Sequence, residues 1–196
     1  KSAIGTMNFA RGLAAAAAAL LLAACAAFTS PGVRPPPAAP FDILGRMLAS
    51  SEGSAFSSGF RWRHGVDKDE IWLMSPVGQT LAYIVADAGG AALTAADQQE
   101  YHAMSVESLT NRALGWPLPL DRLQHWIAGS AAPGVAIVNV ARDARGRLEM
   151  LEQDNWRIRY VYPDSGAGRQ PRRLDMTQEA RQLRMVIDQW RSGVAP

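Results

Sequence analysis

Cysteine is nearly absent from this sequence: Cys25 is the only one. No intrachain disulfide can form, so the fold must rest on burial of apolar surface. Net charge is nearly absent too, with 20 Lys and Arg against 18 Asp and Glu. Lys1 and Arg11 precede Cys25 and no acidic residue does, so the two signs balance beyond it. Such a chain shows no basic footprint for nucleic acid, and the cluster Arg169, Arg172 and Arg173 reads as a solvated turn. The three histidines, His64, His102 and His125, have no metal-ligand spacing and read as unrelated surface or half-buried side chains. Neither a Gly-rich segment leading to Gly-Lys-Ser/Thr nor a Gly-x-Ser-x-Gly elbow occurs. Asp67, Asp69 and Glu70 fall in a turn-like Gly-Val-Asp-Lys-Asp stretch and read as a solvated loop. Nothing here calls for a cofactor, a metal or a local catalytic motif.

A bilayer-spanning run is also lacking. Between Arg11 and Cys25 lie Gly12 to Ala24, uncharged but shorter than the roughly 20 apolar residues that a transmembrane helix needs. Their length suits the apolar core of a signal peptide, with Met7 a candidate start. The run ends in Leu22-Ala23-Ala24-Cys25, which resembles the lipobox of bacterial lipoproteins. Residues 1–24 are thus expected to be a leader, and Cys25 the lipid-bearing first residue of the mature chain. Lipidation by two or more acyl chains anchors a protein stably, at ~0.8 kcal/mol per buried methylene. Ala26 stands where an Asp commonly signals retention in the inner membrane, so it favours the outer membrane. Pro31, Pro35, Pro36, Pro37 and Pro40 make residues 25–40 an extended, semi-rigid tether.

From Phe41 onward the chain carries all six tryptophans and is long enough for one cored domain, 41–196. Ile43–Ala49, Ala55–Arg63 and Ile71–Met74 predict strands between Gly, Ser and Asp clusters. In Gln79–Ala86, Leu81, Tyr83 and Val85 would share one face and Ala82, Ile84 and Ala86 the other, a strand apolar on both sides. Ser105 predicts a helix N-cap ahead of Val106, Leu109, Ala113 and Leu114, with Gly115 ending that helix. Leu120, Leu123, Trp126 and Ile127 predict a second helix from Pro119 to Gly129. Val135–Ala141, Arg147–Gln153, Trp156–Tyr162 and Leu174–Thr177 predict further strands. Around Leu183–Trp190 both periods fit equally. With no βαβ alternation, the expected class is mainly β with short helices (α+β): an antiparallel sheet curled around inserted helices.

An ordered set of short motifs carries a family resemblance. It comprises Gly45-Arg46, Phe60-Arg61-Trp62, Leu73-Met74-Ser75-Pro76-Val77-Gly78-Gln79-Thr80 and Tyr101. Further on come Leu114-Gly115-Trp116-Pro117-Leu118-Pro119, Trp126-Ile127-Ala128-Gly129, and Gln153 with Trp156, Ile158 and Tyr160. From about Phe41 to Trp190 the chain resembles the LolB family, outer-membrane lipoproteins that accept lipoproteins from the periplasmic carrier LolA. The resemblance implies an unclosed antiparallel β-barrel whose concave, hydrophobic side is covered by helices and encloses a cavity for acyl chains. It implies that Pro76, Val77 and Gly78 tip a loop that displays an apolar side chain to the membrane. Family members usually have a bulkier residue such as Leu where Val77 stands. Candidate cavity residues are Trp62, Leu81, Tyr83, Trp116, Leu118, Trp126 and Ile127.

The implied partners are a LolA-like carrier, acylated lipoprotein clients and the inner leaflet of the outer membrane, with no nucleic acid and a monomeric chain. A second reading is an accessory outer-membrane lipoprotein that holds a protein partner in envelope assembly. A third is an enzyme, for which Arg46, His64 and Glu152 are the polar residues on offer.

Overall fold

In the computed structural model the described residues are 38–114, 117–164 and 169–191. Cys25, the leader, most of the tether, Gly115 and Trp116 lie outside them. The described elements are β1 (Phe41–Ser51), β2 (Ser54–His64), β3 (Lys68–Met74), β4 (Thr80–Asp87), β5 (Gly90–Ala95) and β6 (Glu100–Ala103), then helices α1 (Val106–Leu114) and α2 (Leu120–Ile127). Five strands follow: β7 (Ile137–Arg142), β8 (Leu148–Gln153), β9 (Trp156–Val161), β10 (Arg173–Gln178) and β11 (Arg181–Arg191).

All eleven strands form one antiparallel sheet in the order β6-β5-β4-β3-β2-β1-β11-β10-β9-β8-β7. The chain meanders outward from β1 to the β6 edge, crosses through the two helices to the β7 edge, and meanders back until β11 pairs with β1. The edges β6 and β7 do not pair, so the barrel is unclosed. The ambiguous last segment is therefore a strand. It pairs with β1 along its length and with β10 over Arg181 to Val186, and a bulge at Asp188 returns Trp190 to the inner face opposite Ile43.

Register defines two faces. Ile43, Trp62, Ile71, Ile84 and Leu93 lie side by side across β1 to β5, and Leu151, Ile158, Met176, Leu183 and Ala49 across β8 to β11 and β1. These residues meet Val106, Leu109, Leu120, Leu123, Trp126 and Ile127 of the helices in one apolar core. Neither helix is long enough to persist alone, and burial of its stripe stabilises it. Ser105 caps α1 as expected, its hydroxyl accepting from the Ser108 N–H at 3.3 Å. Gly129, at φ +77°, closes α2 in a conformation that favours glycine.

Candidate functional site

The β3–β4 hairpin shows why Pro76-Val77-Gly78 sits where it does. Gly78 N–H donates to the Ser75 carbonyl at 2.9 Å, and Ser75 N–H donates to Gln79 O at 2.8 Å. Proline presets the first turn position, and Gly78 takes φ +84°, the pattern of a type I turn followed by a left-handed residue. The turn leaves Val77 at the tip with 81% of its surface exposed. An apolar side chain held out this far gains nothing from the fold. Pro76 and Gly78 flank it, both exposed.

The sequence-predicted cavity residues divide. Trp62, Trp126 and Ile127 lie within the core at 2% exposure or less, and Leu118 is half-buried against it. Trp116 lies outside the described residues. Tyr83 lies on the opposite face from Trp62 and Ile84, and Leu81 is the unpaired residue of a β-bulge, partly exposed. Both faces of β4 are apolar, so alternation alone did not reveal which one turns inward. Tyr83 instead stacks on Trp72 at 5.0 Å and donates its hydroxyl to Glu70 at 2.8 Å. Side chains both inward and partly accessible are Met47, Leu73 and Leu93. Periodicity could have placed them inside, but which strands bring them together depends on the tertiary register.

Of the carboxylates expected in a solvated loop, Asp67 is exposed in the bend before β3, whereas Asp69 and Glu70 are structural. Asp69 and Glu70 open β3. Asp69 accepts from the Trp62 indole N–H at 2.6 Å and lies 2.8 Å from His64 Nδ1. Glu70 is buried, and the Tyr83 hydroxyl bond, aided by Lys68 and Arg63, holds its pKa below the usual value. Burial and the bond to Glu70 push the Tyr83 phenol up to about 12. Beside them Arg61 forms a two-pronged pair with Asp42 at 2.6 and 3.0 Å, which lowers the Asp42 carboxyl. Arg61 and Arg63 lie 5.4 and 5.9 Å from the Trp72 ring. Such a charged, aromatic ladder seals the outer face over β2, β3 and β4.

Two histidines are more buried than their sequence context implied. His64 is packed between Asp69 and the Ala38 carbonyl, 3.1 Å from Nε2. His125 is buried on α2, where burial and then repulsion from His64 lower its pKa. His102 is exposed. Arg46 pairs with Asp188 at 2.9 Å and Glu152 with Arg157 at 2.6 Å. The three polar residues considered for catalysis thus lie on separate strands, each with its own partner. Among the described residues no cluster of His, Cys, Asp and Glu suits a metal.

A residue whose role the sequence did not disclose is Gln153. Its side-chain oxygen accepts from Trp126 Nε1 at 2.8 Å and Ala132 N–H at 2.9 Å. Its amide nitrogen donates to the Ala132 carbonyl at 2.8 Å and the Val135 carbonyl at 2.9 Å. One wholly buried amide thereby fixes α2, the loop after it and β8 to each other.

Comparison with known proteins follows the same outline. The family model described as "Outer membrane lipoprotein LolB" matches residues 39–190. The outer-membrane lipoprotein LolB of Chromobacterium violaceum is 39% identical over 163 residues, covering 80% of this chain and 87% of that protein. Its counterpart in Azoarcus sp. is 35% identical, covering 78% and 79%, respectively. That of Nitrosomonas europaea is 34% identical, covering 77% and 72%. With this match and the unclosed, helix-filled antiparallel barrel, the chain belongs to the LolB family of outer-membrane lipoproteins.

Proposed function

We propose that this lipoprotein takes acylated lipoproteins from a LolA-like periplasmic carrier, holds their acyl chains against its apolar inner face, and passes them to the inner leaflet of the outer membrane. The observation that carries the reading is Val77: an apolar residue at the tip of the β3–β4 turn, 81% exposed and held there by a proline and a left-handed glycine. Exposing acyl chains to water costs ~25 cal/mol per Å², so a carrier-to-bilayer handover needs an apolar surface at each stage. Met47, Leu73, Leu93 and Leu118 are the half-buried inner residues suited to it. Transfer runs downhill in affinity without nucleotide or bond-making chemistry. Lipid on Cys25 anchors the protein.

The test is transfer. A purified LolA-like carrier loaded with labelled tri-acylated lipoprotein is mixed with liposomes containing, or lacking, the mature protein. Label should move to the bilayer only where the protein is present, and without ATP. No movement from a demonstrably loaded carrier would leave the accessory-lipoprotein reading.

A further inference from the structure

The sheet has two open edges, β6 and β7, and they are built differently. β6 is four residues long, carries the Glu100–His102 pair at 3.5 Å, and has α1 packed beside it and β5. Short length, charge and a covering helix are the usual devices that keep an edge strand from pairing with another chain. β7 is longer, no helix packs along it, and its only charge is its last residue, Arg142. No charged side chain occurs in residues 126–141. Ile137, Val138 and Val140 are 49%, 76% and 43% exposed. A bulge leaves Val138 unpaired, and residues 139–141 then run in regular register with β8. Among the described residues no backbone group pairs with the outer edge of β7.

Such an edge accepts an extended segment as an added strand, with main-chain hydrogen bonds supplying the affinity. Ile137 lies opposite Gln153 and Val140 opposite Leu151, both wholly buried, so the apolar inner face runs out to this edge. Area narrows the occupant. A stable interface takes about 800 Å² per partner from some 20–30 residues, and six residues would supply roughly 200 Å². Pairing at β7 alone therefore holds neither a second copy of this chain nor a free peptide, and the occupant must be held at a second point as well. On the functional reading above, an acylated client meets both demands: its lipid lies on the inner face and its chain begins at the lipid-bearing cysteine. We infer that the residues following that cysteine add to β7 as a further strand, so that the sheet edge holds the client's backbone while the inner face holds its acyl chains. Backbone pairing does not depend on side-chain sequence, which suits one protein receiving several clients.

The test titrates the mature lipidated protein in mild detergent with three fluorescent probes. One is a tri-acylated cysteine followed by six uncharged residues, the second is the same lipopeptide N-methylated at each of the six, and the third is the tri-acylated cysteine alone. The first should bind roughly tenfold more tightly than the other two, the worth of one or two backbone hydrogen bonds. It alone should slow amide hydrogen exchange in residues 137–141. Equal affinity for all three probes, with exchange at β7 unchanged, would overturn the inference while lipid binding stands. Protection of the same amides that grows with protein concentration in the absence of probe would assign the edge to a second copy of the chain and overturn it too. Failure of the folded protein to bind any probe would overturn the functional reading and this inference with it.

Discussion

Trp126 donates its indole N–H to Gln153 at 2.8 Å, and both side chains are wholly buried. The contact joins the apolar stripe of α2 to the end of β8, beside the Trp126–Trp156 ring contact at 6.5 Å. Asp154 and Asn155, both with positive φ, turn the chain so that Gln153 lies directly opposite Trp156. The spacing from Gln153 to Trp156 in the sequence is thus a hairpin that presents a hydrogen-bonding amide and an indole to the same helix.

Replacing Gln153 by Leu keeps the volume and removes every polar partner. Trp126 Nε1, Ala132 N–H and the Ala132 and Val135 carbonyls would then be left unpaired in the interior. Each stranded group costs about 1–3 kcal/mol. The expected loss, measured by urea unfolding, is at least about 3 kcal/mol. A loss below 1 kcal/mol would mean that the loop after α2 is not held by this amide.

Gly45 predicts a steric outcome. A Cβ there would overlap the Val186 carbonyl oxygen across the β1–β11 pair and lie 2.9 Å from the Phe60 ring. Both neighbours are fixed, one by strand pairing and one by the core. Gly45→Ala should therefore destabilise by about 1–3 kcal/mol, as overpacking does. Gly53, in open space at the β1–β2 turn, is the control for strain without crowding. A melting temperature for Gly45→Ala equal to that of the wild type would show that the bulge at Asp188 can absorb the methyl group.

Much of this architecture is legible in the residues. The alternation Trp156, Ile158, Tyr160 and the stripe Leu120, Leu123, Trp126, Ile127 each fit one period, and the structure realises both. Strands β5 and β6 went unread because Gly90–Ala95 is alanine-rich and Glu100–Ala103 only four residues long. Their extended form comes from pairing at the edge of a sheet, not from local propensity. The same holds for β11, whose two periods tie until β1 and β10 bond to it. Asp69 and Glu70 misled for a different reason: charge in a turn-like stretch suggests solvent, but Trp62, His64 and Tyr83 bring donors from neighbouring strands.

Acid should unfold the protein in two stages. His125 has a folded pKa below its unfolded value. The unfolded chain therefore takes up the proton first, and stability falls as pH drops through about 6.5, flattening below the folded pKa. Asp42 and Glu70 also have depressed folded values, held by Arg61 and Tyr83 respectively. Their contribution is complete above the ordinary carboxylate range and is lost as pH falls below about 4. Urea midpoints measured against pH should show both limbs, and His125→Asn should abolish only the upper one. An upper limb unchanged in that variant would assign it to another group.

Val77 separates a structural role from a membrane role. The side chain is 81% exposed, so substitutions there should leave the fold unperturbed. Val77→Glu would place a charge where the reading puts contact with lipid, and should abolish delivery to liposomes while the protein still accepts label from the loaded carrier. Val77→Leu adds one methylene, about 0.8 kcal/mol of apolar transfer, and should raise delivery by up to roughly fourfold. Equal delivery by all three proteins, with acceptance intact, would move the membrane contact away from this turn and leave Val77 a residue that merely tolerates solvent.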